Sequence, residues 1–398
     1  MKFGGVKIKG NVKGDLMQEI QERREGQEGQ KTGEEYYRSI LDRFSDFFIE
    51  ILVSVISSIR RGWREKNRSR IAEWKLMFYA LNRSPPGVIG LLLVTFFVFL
   101  GIFGPYLAPY KYNYFPIFDN GDTYLSPPGQ FFPLGADHFG RDLVSLLLQG
   151  ARTSLVISII VILLGVPLGI VLGLVAGYFG GKVDELIMRI TDMFLAFPPL
   201  ILAIAFAAVL PERISYLINN NLFLQQLLLW LFALDSREAG NLSRLLAVMI
   251  AMAIVWWPGY ARITRGSTLT ERESLYVESA RAIGLSSAKI MAKHILPNII
   301  GPILVYVTLD FGSVVLTEAG LSFLGLGATP PIADWGRIVY DGSQFFPKAW
   351  WLIIFPGSIV LFDVLGWNLL GDSLRDILDP KLRRSIEFKV KRKKGEKK

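Results

Sequence analysis

The chain has 398 residues, of which 51% are hydrophobic and 13% aromatic, with a mean hydropathy of +0.36 and a formal net charge of +9. That is more apolar material than a soluble core needs, and it comes in long blocks, so a water-soluble enzyme is excluded and an integral membrane protein is indicated. Zero cysteines rule out disulfides and thiolate metal sites, and His138 and His294 are the only imidazoles.

Residues 1–43 begin with a stretch rich in Gly, Glu, Gln and Lys that has little to bury and reads as disorder, with no continuous apolar run of the signal-peptide kind. Over 44–86, Phe44, Phe47, Phe48, Ile51, Leu52, Val55, Ile56 and Ile59 recur at helical spacing, interrupted by Asp46 and Glu50 and followed by Arg60, Arg61 and Arg64. This predicts an amphipathic helix on the inner membrane surface, or one packed against a partner subunit. The first span falls within 87–110, at Val88 to Leu107, and an outer loop follows at 111–153.

The rest of the membrane core, 154–380, holds five more runs that meet the requirement of about 20 apolar residues: Ser154 to Tyr178, Ile187 to Leu210, Leu245 to Trp257 with its flanks, Ile299 to Thr317 and Trp350 to Leu370. The fourth is short between Arg244 and Arg262. Residues 211–244 read as an outer insertion in which Leu222 to Leu234 is apolar but too short to cross, so it lies at the outer surface, packs on the bundle or binds a partner. A polar connection occupies 262–297, and 381–398 form a basic tail.

Basic residues set the orientation. Of the 44 Lys and Arg residues, 36 lie before the first span, between the second and third, between the fourth and fifth, or after the sixth, and 8 lie in the other loops. Both termini and the connection at 262–297 are therefore expected on the cytoplasmic side. The same rule, with anionic lipid beside the tail, explains the net charge without nucleic acid.

Gly165, Gly169, Gly173 and Gly177 recur every fourth residue, on one face of the second span, where small residues let helix backbones approach closely. Among charges at membrane depth, Arg189 and Asp192 are three apart and predict a pair on one helix face. Asp310 and Asp363 are candidates for a water-filled pathway or for hydrogen bonds between helices, with no sequence argument separating the two. Glu318 is a further charge in or beside a span.

Several chemistries lack their residues. There is no G-x4-G-K-[ST] for ATP hydrolysis and no H-E-x-x-H for zinc, and Asp137-His138 with Asp142 has no activated nucleophile beside it, so it reads as a polar turn. No catalytic or metal-ligating residue is assigned.

The connection between the fourth and fifth spans is the most informative stretch. Glu278-Ser-Ala-Arg-Ala-Ile-Gly284 predicts a short helix ended at Gly284 with positive φ. Leu285 follows, and Ser286 or Ser287 then caps a second short helix running through His294 to Leu296, which Pro297 ends. The pattern E-x-A-x3-G, nine residues, then H-I-L-P resembles the cytoplasmic docking loop of permease subunits in ATP-binding-cassette (ABC) importers.

The resemblance extends from about Ser84 to Lys381. Pro133-Leu-Gly-Ala-Asp-His-Phe-Gly-Arg-Asp142, Trp257-Pro-Gly-Tyr-Ala-Arg262 with Arg265-Gly266, Leu321-Ser-Phe-Leu-Gly-Leu-Gly327 with Pro330-Pro331 and Trp335-Gly336, and Asn368-Leu-Leu-Gly-Asp-Ser-Leu-Arg-Asp-Ile-Leu-Asp-Pro380 are similar to segments of the C-type partner in dipeptide/oligopeptide ABC permeases. The resemblance implies an all-α, polytopic, six-span type I importer domain, here with an N-terminal helical extension. It implies half of a translocation pathway in the plasma or inner membrane of a prokaryote. The partners implied are a second permease subunit, two ABC ATPase subunits that bind ATP and magnesium, and an extracytoplasmic substrate-binding protein.

Under the resemblance Glu278, Ala280, Gly284 and Leu285, with Ser286, His294 and Pro297 beside them, belong to the ATPase contact, and the chain itself carries no cofactor. Ser322 to Gly327 has no chemical role derivable from sequence. Peptides are the expected cargo; oligosaccharides and nickel chelates are the alternatives within the family, and an intramembrane enzyme using Asp310 and Asp363 is the alternative from another class.

Overall fold

A computed structural model describes residues 40–59, 62–111 and 124–378. Of the disorder expected over 1–43, residues 1–39 lie outside the described residues, as do Arg60, Arg61 and the basic tail at 381–398, and residues 40–43 are instead helical. The chain divides into two compact units, one holding the described residues up to Ser84 and the other running from Pro85 to Leu378.

In the first unit α1 (Ile40–Ile59), α2 (Trp63–Lys66) and α3 (Arg68–Leu81) form a helical hairpin turned at Gly62, whose φ of 78° suits glycine. Ile49, Val53 and Ile71 make its small core, with Trp63 and Phe78 against them. Across the hairpin Glu50 accepts from Lys75 Nζ at 2.6 Å and Arg64 at 2.9 Å, and these cations hold its carboxyl below the ordinary range. The region is thus a hairpin of helices, and its first helix, α1, covers the amphipathic run from Phe44 to Ile59.

The second unit is a helix bundle with no strand among its described residues. Its membrane-spanning helices are α4 (Pro85–Leu107), α5 (Leu143–Phe179), α7 (Pro199–Asn219), α9 (Leu242–Arg272), α11 (Ser287–Phe323) and α13 (Trp351–Leu378), six in all. The shorter α6 (Gly181–Leu195), α8 (Leu222–Phe232), α10 (Leu275–Ala282) and α12 (Trp335–Ser343) lie between them.

α5 and α9 make the most extensive packing in the bundle. Gly165, Gly169, Gly173 and Gly177 lie along this seam. A Cβ on Gly169 would sit 2.5 Å from the Trp257 carbonyl oxygen, and one on Gly173 would sit 2.5 Å from that of Ala261. Lipid offers no hydrophobic drive between spans, so backbone approach of this kind supplies the dispersion that holds them.

α5 begins eleven residues earlier than its apolar run, because Asp142 caps it by accepting from the Ser145 amide at 2.8 Å. The expected outer loop therefore ends before Leu143.

The third span is also corrected. The apolar run Ile187 to Leu210 is cut after α6, and the spanning helix is α7. Pro198 and Pro199 lack N–H donors, and two prolines in succession disfavour the α conformation in the residues before them while favouring a helix start. α7 then continues through Pro211 to Asn219, so residues 211–219 belong to the span rather than to the insertion. α9 likewise runs through both Arg244 and Arg262 to Arg272, and the polar connection begins only after it.

α6 carries the expected Arg189–Asp192 pair, which does not form. Arg189 pairs with Glu185 one turn back, while Asp192 accepts from Arg262 at 2.5 Å and Asp184 from Arg265 at 2.5 Å. Those two longer-range pairs tie α6 to α9.

What remains of the insertion is α8, capped by Asn221, which accepts from the Leu224 amide at 3.0 Å, and a 3-10 turn at Ser236–Asn241. Leu228 and Phe232 are buried against the bundle, while Leu222, Phe223 and Trp230 face outward. Arg152 of α5 holds its C-terminal end, with Nε donating to the Leu231 carbonyl at 2.7 Å and Nη2 to that of Trp230 at 3.2 Å.

Candidate functional site

The connection between α9 and α11 is built from local rules. Ser274 caps α10 in extended conformation, and its carbonyl accepts the Val277 and Glu278 amides. At the other end Gly284 has φ 78°, its amide donates to the Arg281 carbonyl at 2.9 Å, and the Leu285 amide donates to that of Ala280 at 3.1 Å. These are the two bonds of a Schellman stop. They explain the E-x-A-x3-G spacing. Ala280 is the small residue whose carbonyl receives the closing bond, and Gly284 is the residue that turns left-handed.

The helix then sorts its side chains. Val277 and Ala280 are buried against the bundle, and Leu285 packs on the same core. Glu278, Ser279, Arg281 and Gly284 face outward together with Leu275 and Ile283, which are 81% and 76% exposed. Sequence reasoning missed Leu275 and Ile283. The available signal was two large apolar residues off the Val277–Ala280 face of a polar helix.

Past the turn, Ser286 occupies the N-cap position of α11, but its hydroxyl makes no capping bond; its carbonyl accepts from Ile290 at 3.0 Å. The expected end at Pro297 is corrected. Met291–Ile295 widen into a π turn, after which the helix passes through Pro297 as one continuous element to Phe323. The wider turn leaves room for a residue that has a ring in place of a donor. His294 is half-buried on this turn, its carbonyl accepting from Asn298 at 3.0 Å.

The segment is anchored to the spans. Arg281 lies over the Tyr178 ring at 5.2 Å, and Arg272 donates to the Gly177 carbonyl at 3.1 Å. Tyr276 donates to Glu271 at 2.6 Å; burial and that carboxylate hold the phenol above its ordinary range.

The carboxylates in the spans occupy separate surroundings. Asp310 accepts from Trp256 Nε1 at 3.0 Å, bridging α11 to α9. Asp363 is buried and lines a small cavity with Ser154, Ser158 and Trp367. Asp137 and Asp142 are structural: Asp137 pairs with Arg141 at 2.6 Å and accepts the amides of Phe139 and Arg141, and Asp142 caps α5.

Residues 169–384 match the family model for the binding-protein-dependent transport system inner membrane component. The chain belongs to this family. Residues 73–128 match a second model, the N-terminal transmembrane domain of oligopeptide transport permease C. Among curated relatives of this transport family, the dipeptide transport system permease protein DppC of Alkalihalophilus pseudofirmus is 34% identical over 80% of this chain and 93% of its own length. The di/tripeptide transport system permease protein DppC of Pseudomonas aeruginosa is 37% identical over 77% and 90%, and the dipeptide transport system permease protein DppC of Escherichia coli is 36% identical over 77% and 92%.

The family match runs from within α5 through α13, including the α10 turn and the Leu321–Gly327 motif, and the six apolar helices make this family member a multi-pass membrane protein. The hairpin residues before 73 lie outside both models.

Proposed function

We propose that this chain is one of two permease subunits of a peptide importer, and that α10 with the turn at Gly284 is where an ABC ATPase subunit docks. The observation that carries the reading is the outward face of α10. Leu275 and Ile283 are large, apolar and exposed beside Glu278, on a helix whose opposite face, Val277 and Ala280, is buried in the bundle core. An exposed apolar pair with a polar rim is what a protein partner buries.

In this reading the docking segment, both termini and the basic residues lie on the cytoplasmic side. A second permease completes the pathway, two ATPases bind ATP and magnesium, and an extracytoplasmic binding protein delivers cargo. The chain itself is non-catalytic. The assignment to peptides rests on the printed names of the relatives.

The test is co-purification of the full chain with its co-encoded ATPases, together with uptake of a labelled dipeptide in vesicles. Ile283→Asp is expected to abolish co-purification and uptake while leaving the chain folded. Retention of the ATPase by that variant would refute the docking face, and ATP-driven uptake of a sugar but no peptide would refute the cargo.

A further inference from the structure

The Leu321–Gly327 motif ends α11 on a buried group of three side chains. Glu318, Ser322 and Asp334 are all fully buried. Ser322 Oγ lies 3.1 Å from Glu318 Oε1 and 2.8 Å from Asp334 Oδ2. Gly327 turns so closely over Ser322 that a Cβ there would overlap its hydroxyl. The same loop is pinned to α5 by Thr153 Oγ1, which donates to the Ala333 carbonyl at 2.8 Å, and by Trp335 Nε1, which donates to that of Leu147 at 3.0 Å.

A serine hydroxyl has one proton to give, and an ionised carboxylate only accepts. Ser322 can therefore donate to one of its two carboxyl neighbours, and the other contact is a hydrogen bond only where that carboxyl carries a proton and donates to Oγ. The direction follows from the partners. Asp334 Oδ1 accepts the Arg337 amide at 3.0 Å as the N-cap of α12, a place where backbone N–H groups favour an anion. Glu318 meets no backbone amide or cation in this group: Ser322 lies at its Oε1, Ser154 is 3.3 Å from Oε2, and the Asp334 carboxyl is beside it. The two carboxyls therefore compete, and the one without amide donors is the one that keeps a proton.

The nearby cations are engaged elsewhere. Arg141 pairs with Asp137 and donates to the Pro331 carbonyl at 3.2 Å, and Arg337 pairs with Asp341 at 3.0 Å. The other titratable group nearby is Asp363, across the cavity that Ser154 lines. The buried Ser158 hydroxyl, without a partner among the described residues, faces that same cavity. A water there would give protons a route to Ser154 and Glu318.

We propose that Glu318, Ser322 and Asp334 form a one-proton site. Glu318 carries the proton and donates to Ser322, Ser322 donates to the Asp334 carboxylate, and the chain of bonds latches residues 324–334 and α12 onto the end of α11. Loss of the proton places two anions against one hydroxyl and releases the latch. The site lies at the opposite end of α11 from the docking segment, and it stands whether or not the docking and cargo readings hold.

The test uses the purified full-length chain in lipid. Infrared spectroscopy is expected to show a protonated-carboxyl band at neutral pH that diminishes in Glu318→Gln, an amide able to make both of the acid's bonds. That variant should lack the fall in unfolding temperature that the wild type shows as the pH rises above the ordinary carboxyl range. The sign follows from a folded state that holds a proton the unfolded chain has released, so stability is lost as pH rises. Asp334→Asn should lower the unfolding temperature at every pH without removing the band. Asp363→Asn is the control: if it alone abolishes the band, or if Glu318→Gln leaves both band and pH profile unchanged, the site does not exist. Should Glu318→Gln fail to fold, a wild-type band that survives strong alkalinisation unchanged overturns the proposal equally.

Discussion

Gly173 of α5 meets the backbone of Ala261 on α9 so closely that the position of an added Cβ would stand 2.5 Å from the Ala261 carbonyl oxygen. A backbone carbonyl cannot rotate away as a side chain can. Gly173→Ala is therefore expected to force α5 and α9 apart and to destabilise the bundle by about 1–3 kcal/mol, the cost of overpacking. Gly266 on α9 has open space around it, and Gly266→Ala should instead be neutral or stabilising by up to about 1 kcal/mol through helix propensity. Thermal unfolding of the two variants side by side checks the seam, and equal behaviour would contradict it.

Gly284 gives a different kind of strain. Nothing lies within 4 Å of its missing Cβ, yet φ is 78°, so any side chain costs roughly 1–2 kcal/mol for conformation alone. Gly284→Ala and Gly284→Trp should thus destabilise the α10 turn alike, while only the tryptophan projects enough bulk to block a docked partner. Uptake and ATPase co-purification in the two variants separate the effects. Equal loss in both would make the glycine's role conformational only.

The α10 turn was legible because its determinants are local: a glycine at the helix stop and Ala280 four residues before it, while the serine expected to cap the next helix makes no side-chain capping bond. The third span was not legible from hydropathy. An apolar count runs straight across Pro198 and Pro199, where the chain must break, and treats Pro211 as a boundary that α7 passes through. Arg189 could have met Asp192 by spacing, but Asp192 is taken by Arg262, seventy residues away, and no local pattern reveals such a competitor. The Ser322 motif was recognisable without being explicable, since Asp334 reaches Ser322 from twelve residues away, at the start of another helix.

Arg152 is expected to hold the α8 insertion in place. Its guanidinium donates to carbonyls of Trp230 and Leu231 at the end of α8 and to that of Ile102 in α4, where a helix C-terminus favours a cation. Arg152→Gln removes the charge and most of these bonds, at a cost of about 1.5–3 kcal/mol for hydrogen bonds to a charged group. Hydrogen exchange should then accelerate across 222–232 while the α5–α9 seam stays protected. Unchanged exchange in α8 would show that the buried Leu228 and Phe232 suffice.

His138 gives the loop before α5 a dependence on acid. Its ring is stacked on Phe345 at 5.5 Å, and Nδ1 is buried without a partner among the described residues. Burial pushes its pKa below the ordinary histidine value, partly opposed by Asp137 and Asp341. A folded state that resists taking up the proton is at full stability above the ordinary histidine pKa of about 6.5 and loses stability as the pH falls through and below it. The unfolding temperature of the full-length chain in lipid should therefore drop on mild acidification. His138→Phe keeps the stacking and has no proton to gain, so it should flatten that part of the profile. If the variant falls as steeply as the wild type, the acid sensitivity belongs to another group.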